Sequence, residues 1–231
     1  MNRPGPLTRD WSDVDRLATD SLYPWSRRIM AFHSDQGATT YSTYGMAAPT
    51  VVANSTANAD GTDGPWIAHI TSAASGNAAY VRTAYTITRR DWSPTLAGRF
   101  RLSGTITSNT YWIGLFSADP TALTSLATIH SAAFGYSTVT DGTVFWRTVT
   151  SNGANETRTT TTRAVAGATG YDLRIDLGAS AVTFYVDGVV ISSHTATLPT
   201  STQTLGALAG VTTHAIANRR IVVGRMALLH I

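Results

Sequence analysis

The chain has 231 residues, 43% hydrophobic and 13% charged, with a formal net charge of +3, a length that suits one sizeable β-sandwich and predicts a single main domain. The absence of cysteine excludes disulfides, thiolate metal sites and a thiol nucleophile, and no apolar run approaches the roughly 20 residues needed to cross a bilayer, so a soluble chain without membrane contact is expected. All 17 basic residues are arginine; the doublets Arg27-Arg28, Arg89-Arg90 and Arg219-Arg220 are too dispersed for a nucleic-acid surface, and the lysine deficit reads as coding bias.

The first 35 residues read as an arm. Arg3 is followed by no apolar stretch, so no secretory signal peptide is expected. Pro4 and Pro6 disfavour regular structure, and Ser12 with Asp15 resembles a capping box opening one short helix to about Asp20, with Val14 and Leu17 on one side. This segment holds Trp11, Leu22, Tyr23, Trp25, Ile29, Met30 and Phe32 without a periodic core, so it must pack on its own domain or on a partner. The candidate partner-binding residues are Trp11, Tyr23, Trp25, Arg27 and Arg28.

From residue 36 onward helical periodicity vanishes. Residues 50–65 are turn-rich, and Asn58, Asp60 and Asp63 could imitate calcium-loop oxygens, although turn formation explains them better. Strands are predicted at 66–70, 79–88, 98–107, 111–117, 132–138, 143–150, 157–165, 171–177, 181–186, 189–195 and 220–231. Asp141-Gly142 predicts a hairpin that leaves Phe134, Tyr136, Phe145 and Trp146 available for packing, and 151–155 (SNGAN) reads as the next turn. The clearest stretch is 171–199. Tyr171, Leu173, Ile175 and Leu177 alternate with Asp172, Arg174 and Asp176, and Val182, Phe184 and Val186 alternate with Thr183 and Tyr185. Asp187-Gly188 suits a type I′ turn, which would set Val186 opposite Val189, Tyr185 opposite Val190 and Phe184 opposite Ile191. The fold class expected is all-β: a two-sheet antiparallel jelly-roll sandwich over 36–231, preceded by the arm 1–35.

Catalytic residues and a metal site are not signalled. Asp172 and Asp176 share a face, but four strand residues separate them by roughly 13 Å with Arg174 between, too far for a retaining carboxylate pair. Glu156 is the only glutamate. No two histidines have ligand spacing, and no G-x-S-x-G elbow supports a nucleophile. Trp112, Trp146, Phe134 and Phe184 fall in strand patterns where burial is the default, although six Trp and nine Tyr leave a sugar-stacking surface open.

The ordered series YWIGLF, AAFGYS, TVFWRTVTSNG, YDLRIDL, VTFYVDGVVISSHTATLP and IVVGRMALLHI, over roughly 36–231, resembles the concanavalin A-like lectin/glucanase superfamily, especially laminin-G-like modules of bacteriophage virion proteins. The resemblance implies a jelly-roll sandwich with a decoration or accessory role on a particle. The expectation is a non-enzymatic virion structural protein without cofactors, made in the host cytoplasm. Its arm would attach to a major capsid protein or other virion protein, and a homo-oligomer, guessed as a trimer, is expected. The alternative is a carbohydrate-binding module for host-surface glycan.

Overall fold

The structure is a computed structural model that describes residues 28–34, 41–44, 49–52, 56–60, 66–139, 142 and 144–230. In chain order its strands are β1 (Arg28–Ser34), β2 (Tyr41–Tyr44), β3 (Thr50–Val52), β4 (Thr56–Asp60), β5 (Trp66–Ile70), β6 (Ala78–Arg82) and β7 (Thr88–Arg89). After a 3-10 turn (Arg90–Trp92) come β8 (Thr95–Leu102), β9 (Asn109–Phe116), β10 (His130–Ser137), β11 (Phe145–Asn152), β12 (Glu156–Ala164) and β13 (Gly170–Leu177). The last four are β14 (Val182–Val186), β15 (Val189–His194), β16 (Thr204–Thr213) and β17 (Arg220–His230). The capping-box helix expected near Ser12, and Trp11, Tyr23, Trp25 and Arg27, lie outside the described residues.

Two antiparallel sheets form the sandwich. The first runs β15-β14-β13-β8-β17-β1-β2, with β5 also on β17 and β4 on β5; the second runs β12-β11-β10-β9-β16-β6-β3, with β7 on β16. β1, inside the stretch the sequence reads as arm, pairs with β17, Arg28 opposite His230.

The alternation in 171–186 is realised residue by residue. Tyr171, Leu173, Ile175, Leu177, Val182, Phe184 and Val186 are buried between the sheets with Leu96, Phe100, Ile113, Phe134 and Trp146. Phe134 stands edge-on to both Trp146 (5.8 Å) and Phe184 (5.4 Å), and Trp146 edge-on to Tyr171 (5.4 Å), the arrangement that ring quadrupoles favour. Each such ring contributes roughly 1.5–3 kcal/mol by burial. Asp187 (φ 51°) and Gly188 (φ 77°) both occupy the left-handed region, as a type I′ turn requires.

The register beyond that turn differs from expectation. Val186 faces Val189 and Tyr185 faces Val190, but a bulge then sets Phe184 opposite Ser192 and Val182 opposite His194. The extra residue brings the His194 ring between two core-facing threonines of β11: Nε2 lies 3.0 Å from Thr148 Oγ1 and Nδ1 2.9 Å from Thr150 Oγ1. Thr150 donates to Ala196 O and Ser192 donates to Thr148, so a neutral ring protonated on Nδ1 satisfies the whole chain. A one-residue slip is tolerated because it satisfies a polar network that joins the two sheets at their edges.

The strand β16 was not anticipated. It carries no alternation because nearly all of it is buried, on both of its faces. Residues 118–129 form a loop whose ends are tied by Ser117 N–H to His130 O (2.9 Å), and this loop roofs the outer face of the second sheet. Leu126, Tyr80, Trp112, Phe116, Val149 and Leu208 form a separate core there. Trp112 is buried as expected, but beneath this roof, its Nε1 donating to Leu123 O.

Candidate functional site

Three surfaces of the sandwich could meet a ligand, and their chemistry differs. The outer face of the second sheet is closed by the 118–129 loop. Glu156 performs that closure: Oε2 accepts from Leu126 N–H (2.6 Å), Oε1 pairs with Arg158 (2.9 Å), and Arg158 Nη2 donates to Thr124 O. Thr212 Oγ1 donates to Thr121 O (2.6 Å), and Asp119 Oδ1 accepts from the Thr121 amide and hydroxyl.

The outer face of the first sheet is laced with ion pairs, as the sequence predicts for Asp172, Arg174 and Asp176. Arg174 pairs with Asp176 while its guanidinium lies over the Tyr185 ring, 4.5 Å from the centroid. Asp176 also accepts from Thr95 Oγ1, and Asp172 faces Arg99. The described acid side chains are therefore all engaged, with Asp91 on Arg89 and Asp187 on Arg163.

The third surface is a cleft of about 420 Å³ at one end of the sandwich, lined by Ile70, Ser103, Gly104, Thr105, Asn218, Arg219 and Arg220. It forms where the chain leaves β5, leaves β8 and enters β17. Its frame is buried and hydrogen-bonded throughout. Ser103 Oγ accepts from Arg220 N–H (2.8 Å), and Thr71 exchanges bonds with Arg219, its N–H donating to Arg219 O and its Oγ1 accepting from Arg219 N–H. Asn109, fully buried, donates to Thr105 O (3.0 Å) and accepts from Arg219 Nε (2.9 Å). Tyr111 OH donates to Arg220 O and accepts from Ser103 N–H, and burial pushes its phenol pKa up, so it serves as a neutral hydroxyl. The lining holds two arginines, two hydroxyls, an amide and one aliphatic side chain, a set suited to a hydrophilic ligand.

Among the described residues no cluster of three metal-ligating side chains occurs. Of the sequence-derived partner residues only Arg28 is described, by its backbone in β1. Asn58 and Asp60 lie in β4, and Asp63 lies outside the described residues. The cleft residues carry no motif. The one signal that could have found them is the Arg219-Arg220 doublet at the start of the last strand.

The sequence matches no protein-family model and no curated protein. Solved structures do match. A protein of unknown function from Shewanella oneidensis MR-1 has 13% identity and a TM-score of 0.63, over 99% of this chain and 96% of that one. The fold is a concanavalin A-like sandwich. A Bacillus licheniformis β-glucanase matches at 11% identity and TM-score 0.52, over 89% of this chain and 98% of the other. A Crh5 transglycosylase in complex with NAG matches at 16% and 0.54, over 85% and 86%. At such identities the shared property is the fold. These matches correct the expectation that the chain is not an enzyme: glycan-cleaving proteins are built on this same sandwich, so the lack of a glutamate pair does not exclude that chemistry. None of the three is named as a virion protein.

Proposed function

We propose that this chain is a carbohydrate-recognition sandwich that binds saccharide in the cleft between residues 103–105 and 218–220. The observation that carries the reading is the cleft itself: an open, rigidly framed, donor-rich site, while the second sheet is roofed and the first is occupied by its own ion pairs. Backbone and side-chain donors held by buried partners lose little entropy when they meet sugar hydroxyls, and Ile70 supplies an apolar surface for a sugar ring. The glycan-handling neighbours of the same fold support this reading. Display on a phage particle through Trp11, Tyr23, Trp25, Arg27 and Arg28 is compatible with it and rests on the sequence resemblance.

A glycan array followed by calorimetric titration tests the proposal, with released reducing ends measured in parallel. Gly104 lines the cleft and a Cβ built there meets no atom within 4 Å, so Gly104→Trp brings a bulky ring to the cleft without a clash at its Cβ. The expected result is saturable glycan binding that Gly104→Trp weakens at least tenfold with little change in melting temperature. Binding unaffected by Gly104→Trp, or no glycan bound at all, overturns the proposal.

A further inference from the structure

We infer that the end cleft selects saccharides bearing a carboxylate, and that Arg219 is the residue that reads it. This inference rests on the cleft being a glycan site and names the class of glycan it takes. Among the described residues the cleft lining contains Arg219 and Arg220 and no acidic residue, so an anionic ligand meets no opposing carboxylate from those residues.

The geometry of Arg219 distinguishes it from a surface arginine. Its Nε donates to Asn109 Oδ1 (2.9 Å) and its Nη1 to Asn218 O (3.1 Å). Asn109 is in turn immobilised by its bond to Thr105 O (3.0 Å) and by complete burial. Two of the guanidinium's nitrogens are thus bonded to the site's own frame, and Nη2 has no hydrogen-bond partner among the described residues. A guanidinium fixed on one side presents its remaining N–H groups in a set direction, the arrangement that recognises a planar carboxylate at low entropic cost. The backbone on both sides of it is anchored too, through Thr71. Neighbouring donors complete the site: Thr105 Oγ1 and Asn218 can bond the hydroxyls beside the carboxylate, while Ile70 meets the ring face.

Carboxylate-bearing saccharides come from two sources, uronates and sialates, and the experiment separates them. The full chain is titrated calorimetrically with trigalacturonate against maltotriose, and with sialyllactose against lactose, at two salt concentrations. The same titrations are run on Arg219→Gln, Arg219→Lys and Arg99→Gln; the last makes the same change in net charge on the outer face of the first sheet. The expected result is at least tenfold tighter binding of one acidic ligand over its neutral counterpart, weakening with salt. That preference collapses in Arg219→Gln, is partly kept in Arg219→Lys and is intact in Arg99→Gln, which moves neutral-glycan affinity less than threefold. Equal affinity for acidic and neutral ligands, or a preference unchanged in Arg219→Gln, overturns the inference while leaving the glycan reading standing. Loss of acidic and neutral binding together in Arg219→Gln overturns it as well, because the residue would then hold the cleft rather than read the charge. No binding of any saccharide by the wild-type chain overturns both.

Discussion

His69 makes the stability of this sandwich depend on acid. The residue lies in β5 between Ala57 of β4 and Ile221 of β17, and its side chain is fully buried. Burial disfavours the imidazolium and lowers its pKa from 6.5 to about 4. The unfolded chain therefore binds a proton that the folded chain refuses throughout that interval. Stability is full above about pH 6.5 and falls as the pH drops toward 4, by about 1.4 kcal/mol per pH unit and roughly 3 kcal/mol in all. His194 and His130, also held below the ordinary histidine value by burial, act in the same direction. The assay is urea unfolding at pH 7.5, 6.5, 5.5 and 4.5 for the wild type and His69→Phe. The carboxylates titrate in both proteins, so only the difference between the two curves reports His69. The wild-type curve should fall more steeply below pH 6.5, by about one proton's worth of slope. Parallel curves, or an NMR titration that puts the folded-state His69 pKa at or above 6, would refute the reasoning.

Two further predictions concern the loops that shape the surfaces. Glu156→Ala leaves the Leu126 amide without its acceptor under the roof of the second sheet and should cost roughly 1–3 kcal/mol in urea unfolding, with faster proteolysis within 118–129; unchanged proteolysis would mean that the other ties suffice. A Cβ at Gly167 would overlap the backbone of Ser103 and Gly104, whereas one at Gly104 enters open space. Gly167→Ala should therefore lose about 1–3 kcal/mol and weaken glycan binding by displacing the cleft wall, and Gly104→Ala should change stability by less than about 0.5 kcal/mol.

The residues of 171–186 determined their own structure. Their apolar and polar positions alternate with period two, Asp187-Gly188 accepts the positive φ values of its turn, and both signals are local, so the hairpin and its buried face could be read directly from the chain. The two-sheet class followed from the repetition of such segments. Local signals fail where burial is set by distant chain. β16 shows no alternation because the 118–129 loop covers the face that would otherwise be polar, and Trp112 is buried by that same loop rather than by the opposing sheet. The slip at His194 was decided by Thr148 and Thr150, more than forty residues away in sequence, where a satisfied buried imidazole outweighs a regular ladder. The candidate site is the extreme case. Arg219 is oriented by Asn109 across 110 residues, and Ser103 meets Arg220 across 117. Nothing in the spacing of these residues announces a cleft; only the convergence of three strand ends around a buried polar frame brings them together and gives the Arg219 guanidinium a set direction.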